Sequence, residues 1–195
     1  MKRLQFRIGY GIGMTSPPGR RERKKAATRA AVAEAALGLF LERGFDAVTV
    51  KDVAEAADVS LTTLFNHFPS KEALVFDEEA EREARLLGAV RDRPGDVDVL
   101  TALQRFARTA ADRRVEPGYD GFIAMIEAAP SLQAYSRRMW ESYEASLAAA
   151  VALDAGLDTA DPRARALAHV VIGALTLDPA QVDAVFDLLR HGWTV

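Results

Sequence analysis

The sequence predicts an all-α fold, and three observations carry this prediction. Apolar residues recur at the three- and four-residue spacing of a helix, as at Val32, Ala36, Leu39 and Phe40. Capping residues and Pro-Gly or Asp-Pro pairs divide the chain into segments of helical length. No segment shows the sustained alternation of apolar and polar residues that indicates a strand.

The composition is that of a soluble globular protein. The 195 residues are 49% hydrophobic and 27% charged. The chain contains no cysteine, which excludes disulfides and thiolate metal sites and fits a reducing cytoplasm. No run of about 18 apolar residues is present, so we expect no membrane span and a cytoplasmic location.

Charge is divided unevenly along the chain, although the net charge is only −3. Residues 1–19 carry three basic and no acidic side chains, and residues 20–71 carry nine basic against seven acidic ones. Residues 72–195 carry thirteen basic against twenty-one acidic side chains. A basic front and an acidic remainder indicate that the two parts have different partners.

The chain is predicted to begin with a tail and two helices. Residues 1–19 are rich in Gly and Pro and have no period, so we expect a disordered tail. The helical pattern of Arg21–Arg43 ends at Gly44, which supplies a left-handed C-cap. Thr49 is the predicted N-cap of a short second helix, with Asp52 as its capping-box partner three residues later.

The later helices follow the same signals. A tight turn at Asp58 and Val59 leads to Ser60, the predicted cap of a third short helix that ends near Phe68, before Pro69. The remaining predicted helices are Ser70–Arg93, Asp96–Arg114, Tyr119–Ala129, Pro130–Leu153, Arg163–Leu177 and a last helix from Asp178-Pro179 to His191. About nine helices are expected in all.

The second and third helices, supported by the first, predict a helix-turn-helix that fits the DNA major groove. Leu64 and Phe68, four residues apart, are expected to face the core. Thr49 and Lys51 open the second helix and Lys71 opens the predicted fourth, where helix N-termini hold phosphates. The side chains expected outward or on the flanks of the third helix are Leu61, Thr62, Thr63, Phe65, Asn66 and His67.

The segment Gly44–Leu74, GFDAVTVKDVAEAADVSLTTLFNHFPSKEAL, resembles the signature of the TetR family of transcriptional regulators. The resemblance covers about Arg21–Phe76. Asp58 departs from the glycine common in the turn, and Phe65 departs from the tyrosine whose hydroxyl contacts phosphate. The residues that the resemblance implies in DNA contact are Thr49, Ser60, Thr62, Thr63, Phe65, Asn66, His67 and Lys71.

The resemblance also implies a function and a domain division. It implies a sequence-specific transcriptional regulator, a repressor that a small-molecule effector releases from its operator. The partners implied are palindromic double-stranded DNA, a second copy of the chain and an unknown small apolar or amphipathic effector, with no cofactor. The expected division is a tail at 1–19, a helix-turn-helix DNA-binding domain at 20–70 and a ligand-binding and dimerisation domain at 71–195.

A dense basic stretch precedes the motif. Its only acidic residue is Glu22, and its six cations are Arg20, Arg21, Arg23, Lys24, Lys25 and Arg29. These cations fit an arm or helix start that lies along phosphates or enters the minor groove. A solvated helix face is the alternative.

The last two helices predict a dimer interface. Segment 163–177 is apolar on two faces, so it needs cover from its own core and from a second surface, plausibly a second copy. Burial of both faces within the monomer is the alternative. The residues predicted for the interface are Leu167, Val171, Ile172, Leu175, Val182, Phe186 and Leu189.

An effector site is predicted among the middle helices, where Met and aromatic residues cluster and suit an adaptable apolar cavity. Ordinary core packing is the alternative for each of them. The residues predicted to line this site are Phe106, Phe122, Met125, Ile126, Met139, Trp140 and Tyr143.

An enzyme is the rival class, but its sequence signals are missing. No Gly-x-Ser-x-Gly elbow, His-Glu-x-x-His helix or Walker loop appears. His169 and His191 have no ligating partner at metal-site spacing, so no metal is expected. The remaining alternative is a helical small-molecule-binding or scaffold protein without DNA activity.

Overall fold

The computed structural model describes residues 19–192, and all regular secondary structure in that range is helical. This confirms the all-α prediction. The expected disordered tail lies, apart from Gly19, outside the described residues. The α-helices are α1 (Arg20–Arg43), α2 (Val50–Ala56), α3 (Leu61–His67), α4 (Glu79–Arg91), α5 (Val99–Asp112), α6 (Tyr119–Ala128), α7 (Pro130–Asp154), α8 (Pro162–Ala174) and α9 (Pro179–His191).

The start of α2 is fixed by the predicted capping box. The Thr49 hydroxyl accepts from the Asp52 N–H at 3.2 Å, and the Asp52 carboxylate accepts from the Thr49 N–H at 2.8 Å. These hydrogen bonds, first the side-chain bond with Thr49, lower the pKa of Asp52. Gly44, which ends α1 before this box, has the positive φ of 85° that favours glycine.

The turn between α2 and α3 is a Schellman motif with aspartate at its left-handed position. Asp58 has a φ of 52°, and the Val59 N–H donates back to the Ala54 carbonyl at 3.0 Å. Ser60 then caps α3, since its Oγ accepts from the Thr63 N–H at 3.1 Å. Asp58 thus adopts the left-handed conformation at the position where glycine is common.

The fourth predicted helix, Ser70–Arg93, was wrong at its start. Ser70 caps only a 3-10 turn at Glu72–Leu74, through a 3.2 Å hydrogen bond from the Ala73 N–H, and α4 begins at Glu79. The intervening Phe76 is buried against the ring of Tyr135 in α7, at 5.2 Å between centroids and 8° between planes. This long-range aromatic contact takes the chain out of the helical path.

The cap of α5 also differs from the prediction. Asp98 rather than Asp96 is the N-cap, with its carboxylate accepting from the Thr101 N–H at 2.9 Å. Side-chain and backbone hydrogen bonds from Thr101 lower the pKa of Asp98. The helix ends at Asp112 and passes into a 3-10 turn at Arg113–Val115.

A single apolar core runs from the helix-turn-helix into the larger helical body. In the first part α1 packs beneath α2 and α3, and in the second α7 packs against α8, α4 and α6. Arg93, after α4, ties that helix to α7 through a bidentate pair with Asp154 at 2.7 and 2.8 Å. Between residues 19 and 192 no helix combines the length and the apolar character needed to cross a membrane.

Candidate DNA-binding surface and regulatory core

One face of α3 is buried and the other is open. Leu64 and Phe68 are fully buried, as predicted from their spacing. On the open side Leu61 is 41% exposed and Phe65 is 48% exposed, although both are large and apolar. Exposed apolar groups on one short helix are available to contact thymine methyl groups or sugars.

Polar groups accompany these apolar ones on α3. Thr62 and Asn66 are exposed, and neither side chain has a partner among the described residues. An amide that is free in this way can make a bidentate bond to an adenine edge. Thr63 differs, because it is half-buried and its hydroxyl lies 2.9 Å from the Ser60 hydroxyl, within the cap of α3.

The predicted lysines occupy different surroundings. Lys51 is exposed at the start of α2 and lies 3.7 Å from Glu55, an ion pair that water screens. Lys71 is half-buried, and its ammonium lies 4.2 Å from the centre of the Phe45 ring. Lys71 therefore packs on aromatic residues at and just after the end of α1. It precedes a 3-10 turn and not an α-helix, so the prediction that Lys71 opens the fourth helix was wrong.

His67 closes the open face at the C-terminal end of α3. Its side chain is half-buried, and burial lowers its pKa, with smaller contributions from the positive charges of Lys25 and Arg29. The imidazole in the free protein is thus held neutral, with ring nitrogens that can donate or accept.

The basic stretch divides into two parts in the structure. Arg20, Arg21, Arg23, Lys24 and Lys25 are exposed on the first turns of α1. Arg29 is not, because its guanidinium donates to two backbone carbonyls and stacks on Phe68. The prediction that all six cations lie along phosphates is therefore corrected for Arg29.

The start of α4 is held by two tyrosines of α7. The Tyr143 hydroxyl donates to the Glu79 carbonyl oxygen, and the Tyr135 hydroxyl donates to the Glu79 carboxylate at 2.6 Å. Burial and then the Glu79 carboxylate raise the pKa of Tyr135 to about 12, so both hydroxyls remain donors near neutral pH. This junction links α4 to the helices predicted to hold an effector.

The residues predicted for effector binding are distributed over several environments. Met139 and Tyr143 are buried, and Trp140 packs edge-on against Tyr143 with 5.4 Å between ring centroids. Phe122 meets Phe76 at the α4 junction, with 6.5 Å between ring centroids. The partly buried members of the set, which pack against the core, are Phe106, Phe122, Ile126 and Trp140.

Met125 also lines a cleft between α1 and α6 of about 480 Å³. The other side chains around this cleft come largely from the end of α1, where sequence reasoning placed only a helix terminus. The lining residues are Phe40, Leu41, Arg43, Gly44, Phe45, Asp46, Ala47, Gly121, Met125, Ala128 and Ala129. Only packing between distant segments creates this cleft, so no local sequence signal pointed to it.

The predicted dimer residues fall mostly inside the subunit. Val171, Val182 and Phe186 are fully buried in their own chain, and Ile172 and Leu175 are 7% exposed. Side chains enclosed in this way offer no surface to a second copy, because α8 and α9 turn these faces toward α7 and α5. Leu167 and Leu189 are half-buried.

The outer faces of α8 and α9 carry other apolar residues. Val170 is 37% exposed and Leu188 is 42% exposed. Next to them lie the exposed small residues Ala166, Gly173 and Ala184. Ala166 and Val170 thus lie on the exposed side of α8, whereas Ala174, on the same helix, is buried in the core.

Within residues 19–192 no group of three or more histidine or acidic side chains is arranged so that it could hold a metal ion. His169 lies 3.0 Å from the carboxylate of Glu144 in α7, a partner distant in sequence. The described residues thus present a capped helix-turn-helix, with one helix open to solvent, on a larger helical body. This defines the class of helix-turn-helix DNA-binding proteins.

Comparison with known proteins identifies the family within the helix-turn-helix class. Residues 32–77 match the family model of bacterial regulatory proteins of the tetR family, and residues 99–185 match the model of the MftR C-terminal domain. The chain is 34% identical over 152 residues to the HTH-type transcriptional regulator TcmR of Streptomyces glaucescens, across 74% of this chain and 67% of that one. It is 28% identical over 153 residues to the transcriptional regulator MftR of Mycobacterium tuberculosis, across 77% of each chain.

A solved structure agrees in fold. Salmonella enterica GusR superposes with a TM-score of 0.56 at 24% identity, covering 85% of this chain and 95% of that chain. The chain belongs to the TetR family and is a DNA-binding transcriptional regulator. The family consists of transcriptional regulators rather than enzymes.

Proposed function

We propose that this protein is a homodimeric repressor that reads a palindromic operator with α3 and leaves it when a small effector binds among the helices α4 to α7. The single observation that carries the proposal is the open face of α3. There Thr62 and Asn66 have unengaged polar groups beside exposed Leu61 and Phe65. This mixture suits base edges, thymine methyls and sugars.

Phosphate contact is proposed for the groups around this face. Thr49 and Ser60 cap helix N-termini at the surface, and Lys51 is exposed beside the first of them. Lys71 follows α3 in the chain, four residues after its end. The exposed cations of the first turns of α1 supply further positive charge. His67 presents a neutral ring at the end of the reader helix.

A second copy is proposed to pack on the outer faces of α8 and α9. Val170 and Leu188 are exposed there beside small residues that permit close approach of helices. Leu167 and Leu189 border this surface in the proposal. A dimer reads two half-sites about one helical turn apart, which one short helix does not achieve alone.

The effector is proposed to be small and apolar or amphipathic. Met125, Met139 and Tyr143 are buried and Trp140 is half-buried among these helices, and the hydroxyl of Tyr143 donates to the first residue of α4. An effector that prefers one position of this tyrosine would move α4 and change the separation of the two reader helices. Such a preference typically corresponds to about 1–3 kcal/mol of coupling.

The test is operator binding by variants of α3. Fragments of the protein's own promoter DNA are titrated by fluorescence anisotropy at a fixed salt concentration, because phosphate contacts make the affinity salt-dependent. Asn66→Ala and Thr62→Ala are each expected to weaken specific binding about tenfold to hundredfold, the usual worth of a base contact. The melting temperature should stay unchanged, since both side chains are exposed.

Thr159→Ala provides the matched control, because Thr159 is equally exposed but lies between α7 and α8. It should bind DNA as the parent does. Parental affinity in both α3 variants would show that α3 is not the reader. Absence of any DNA binding at low salt would instead favour the small-molecule-binding or scaffold alternative.

A further inference from the structure

Arg29 of α1 connects two segments that belong to different parts of the molecule. Its Nη1 donates to the carbonyl oxygen of His67, the last residue of α3, at 2.6 Å. Its Nη2 donates to the carbonyl oxygen of Asp77, two residues before α4. One planar guanidinium therefore joins the end of α3, the proposed DNA-reading helix, to the segment just before α4.

The contact is built into the packing. The guanidinium carbon lies 4.3 Å from the centre of the Phe68 ring, which is fully buried. His67 and Asp77 are both half-buried, and their carbonyls lie at the end of one helix and before the start of another. Partly buried carbonyls in such positions need a donor from elsewhere, and Arg29 supplies it to both.

The same stretch of chain is anchored on its far side. Phe76 stacks on Tyr135, and Glu79 accepts hydrogen bonds from Tyr135 and Tyr143 of α7. Arg29 is thus one contact by which an arrangement fixed by α7 reaches α3. A planar fork holds two acceptors at a fixed angle, whereas the single ammonium of lysine does not.

We propose that Arg29 is a positioning residue that sets the angle between α3 and α4, and thereby the half-site spacing that the dimer selects. The proposal rests on the proposed function and concerns its regulation. It differs from a DNA-contact role for Arg29, which would change affinity on every operator equally. The distinguishing quantity is therefore the ratio of affinities for two spacings.

The experiment first selects an operator from random-sequence DNA with the full-length parent chain. Affinity is then measured for that operator and for one with two base pairs inserted between its half-sites, which rotates one half-site by about 70°. We expect the parent to lose about thirtyfold or more in affinity on insertion, about 2 kcal/mol, because its two recognition helices can no longer contact both half-sites in register. Arg29→Lys and Arg29→Gln should lose only about threefold, while still preferring the selected half-site sequence.

Lys25→Gln is the matched control, because Lys25 is an exposed cation one turn earlier on α1. It should weaken binding to both operators and keep the parental ratio. Arg29→Lys distinguishes the effect of the positive charge from the effect of the two-donor geometry. Lysine retains the charge, but its ammonium does not hold two carbonyls at a fixed angle. Thermal melting of every variant shows whether the fold persists.

The angle between α3 and α4 can also be examined without DNA, by measuring distances between spin labels. Because the chain contains no cysteine, a single introduced cysteine is the only labelling site. Asp46→Cys, at an exposed position after α1, places one spin label in each subunit. The distance distribution between the two labels should broaden when Arg29→Lys is added and should stay narrow when Lys25→Gln is added.

The outcomes separate the two proposals. A parent that selects no DNA contradicts the proposed function and the inference with it. A parent that selects DNA, together with parental spacing ratios in both Arg29 variants, overturns the inference alone. Unfolding of both Arg29 variants at the assay temperature also overturns it, because Arg29 would then stabilise the fold as a whole.

Discussion

The open face of α3 and the outer faces of α8 and α9 expose large apolar side chains to a similar extent. The residues that surround these side chains differ between the two regions. On α3, Leu61 and Phe65 are 41% and 48% exposed, and each is followed by an exposed polar residue without a partner among the described residues, Thr62 and Asn66 respectively. On α8 and α9, Val170 and Leu188 are 37% and 42% exposed. The residues at helical spacing from them include the small residues Ala166, Gly173 and Ala184, which have no hydrogen-bonding side chain.

The exposure of an apolar side chain does not by itself indicate whether DNA or a second protein copy binds there. A duplex offers hydrogen-bonding edges and phosphates, so a surface that reads it needs polar groups and positive charge beside its apolar ones. A second protein copy offers an apolar face, and small residues let two helices approach closely.

The largest expected effect concerns the inner face of α9. Phe186 is fully buried, so Phe186→Ala should lower the free energy of unfolding by about 4 kcal/mol through lost burial and the cavity left behind. Denaturant unfolding at fixed protein concentration measures this. Leu188→Ala, on the outer face of the same helix, should cost less than about 1 kcal/mol in the isolated subunit. Equal costs would show that the two faces of α9 do not differ as described.

The second prediction concerns association. Leu188→Glu and Val170→Glu would each bury an unpaired charge in the proposed interface, which should raise the dimer dissociation constant by about a hundredfold or more. The subunit should remain folded, because both side chains face outward. Sedimentation velocity over a range of concentrations measures the association.

Leu153→Glu is the control, since Leu153 is 65% exposed at the end of α7. Unchanged dimers in both interface variants would place the interface elsewhere.

The helix-turn-helix was predictable from sequence because its signals are local. The capping box of Thr49 and Asp52 and the cap at Ser60 are contacts across three residues, and sequence spacing shows them directly. The left-handed Asp58 is likewise a property of one turn. Short-range hydrogen bonds of this kind need no knowledge of the rest of the fold.

The second part was less predictable because its contacts are long-range. Val182 and Phe186 form a regular apolar stripe, but a stripe does not show whether its own subunit or a second one covers it. The late start of α4 depends on Phe76 stacking on Tyr135, 59 residues later in the sequence. The bond from Arg29 to the Asp77 carbonyl, across 48 residues, is equally invisible to local patterns.

The third prediction concerns the reader helix. Phe65→Tyr adds a hydroxyl at an exposed ring, where it can reach a phosphate without displacing any core group. Operator affinity should rise by about fivefold, corresponding to about 1 kcal/mol for one added hydrogen bond. Anisotropy titration against the same operator measures the change. Tyr119→Phe is the control for a change of one aromatic hydroxyl, because the Tyr119 hydroxyl lies on α6 and accepts from Arg114. Unaltered affinity in Phe65→Tyr would place the ring away from the phosphates.

The smallest expected effect is a pH dependence at His67. Burial and the nearby charges of Lys25 and Arg29 hold the pKa of this imidazole below its ordinary value of 6.5. The neutral ring is thus favoured in the fold, so the stability that it contributes is present above pH 6.5 and is lost as the pH falls through the lowered pKa. An NMR titration of the His67 ring protons should show the depressed midpoint directly.

A charge variant isolates the electrostatic part of this shift. Lys25→Gln should raise the His67 midpoint, because it removes a repelling charge, whereas Lys51→Gln on α2 should leave it in place. Operator DNA should raise the midpoint further, since phosphates beside the ring stabilise the imidazolium. A midpoint that does not move when operator is added would indicate that the end of α3 stays away from the backbone of the duplex. The DNA-contacting face of α3 would then be confined to the residues before His67, Leu61 to Asn66.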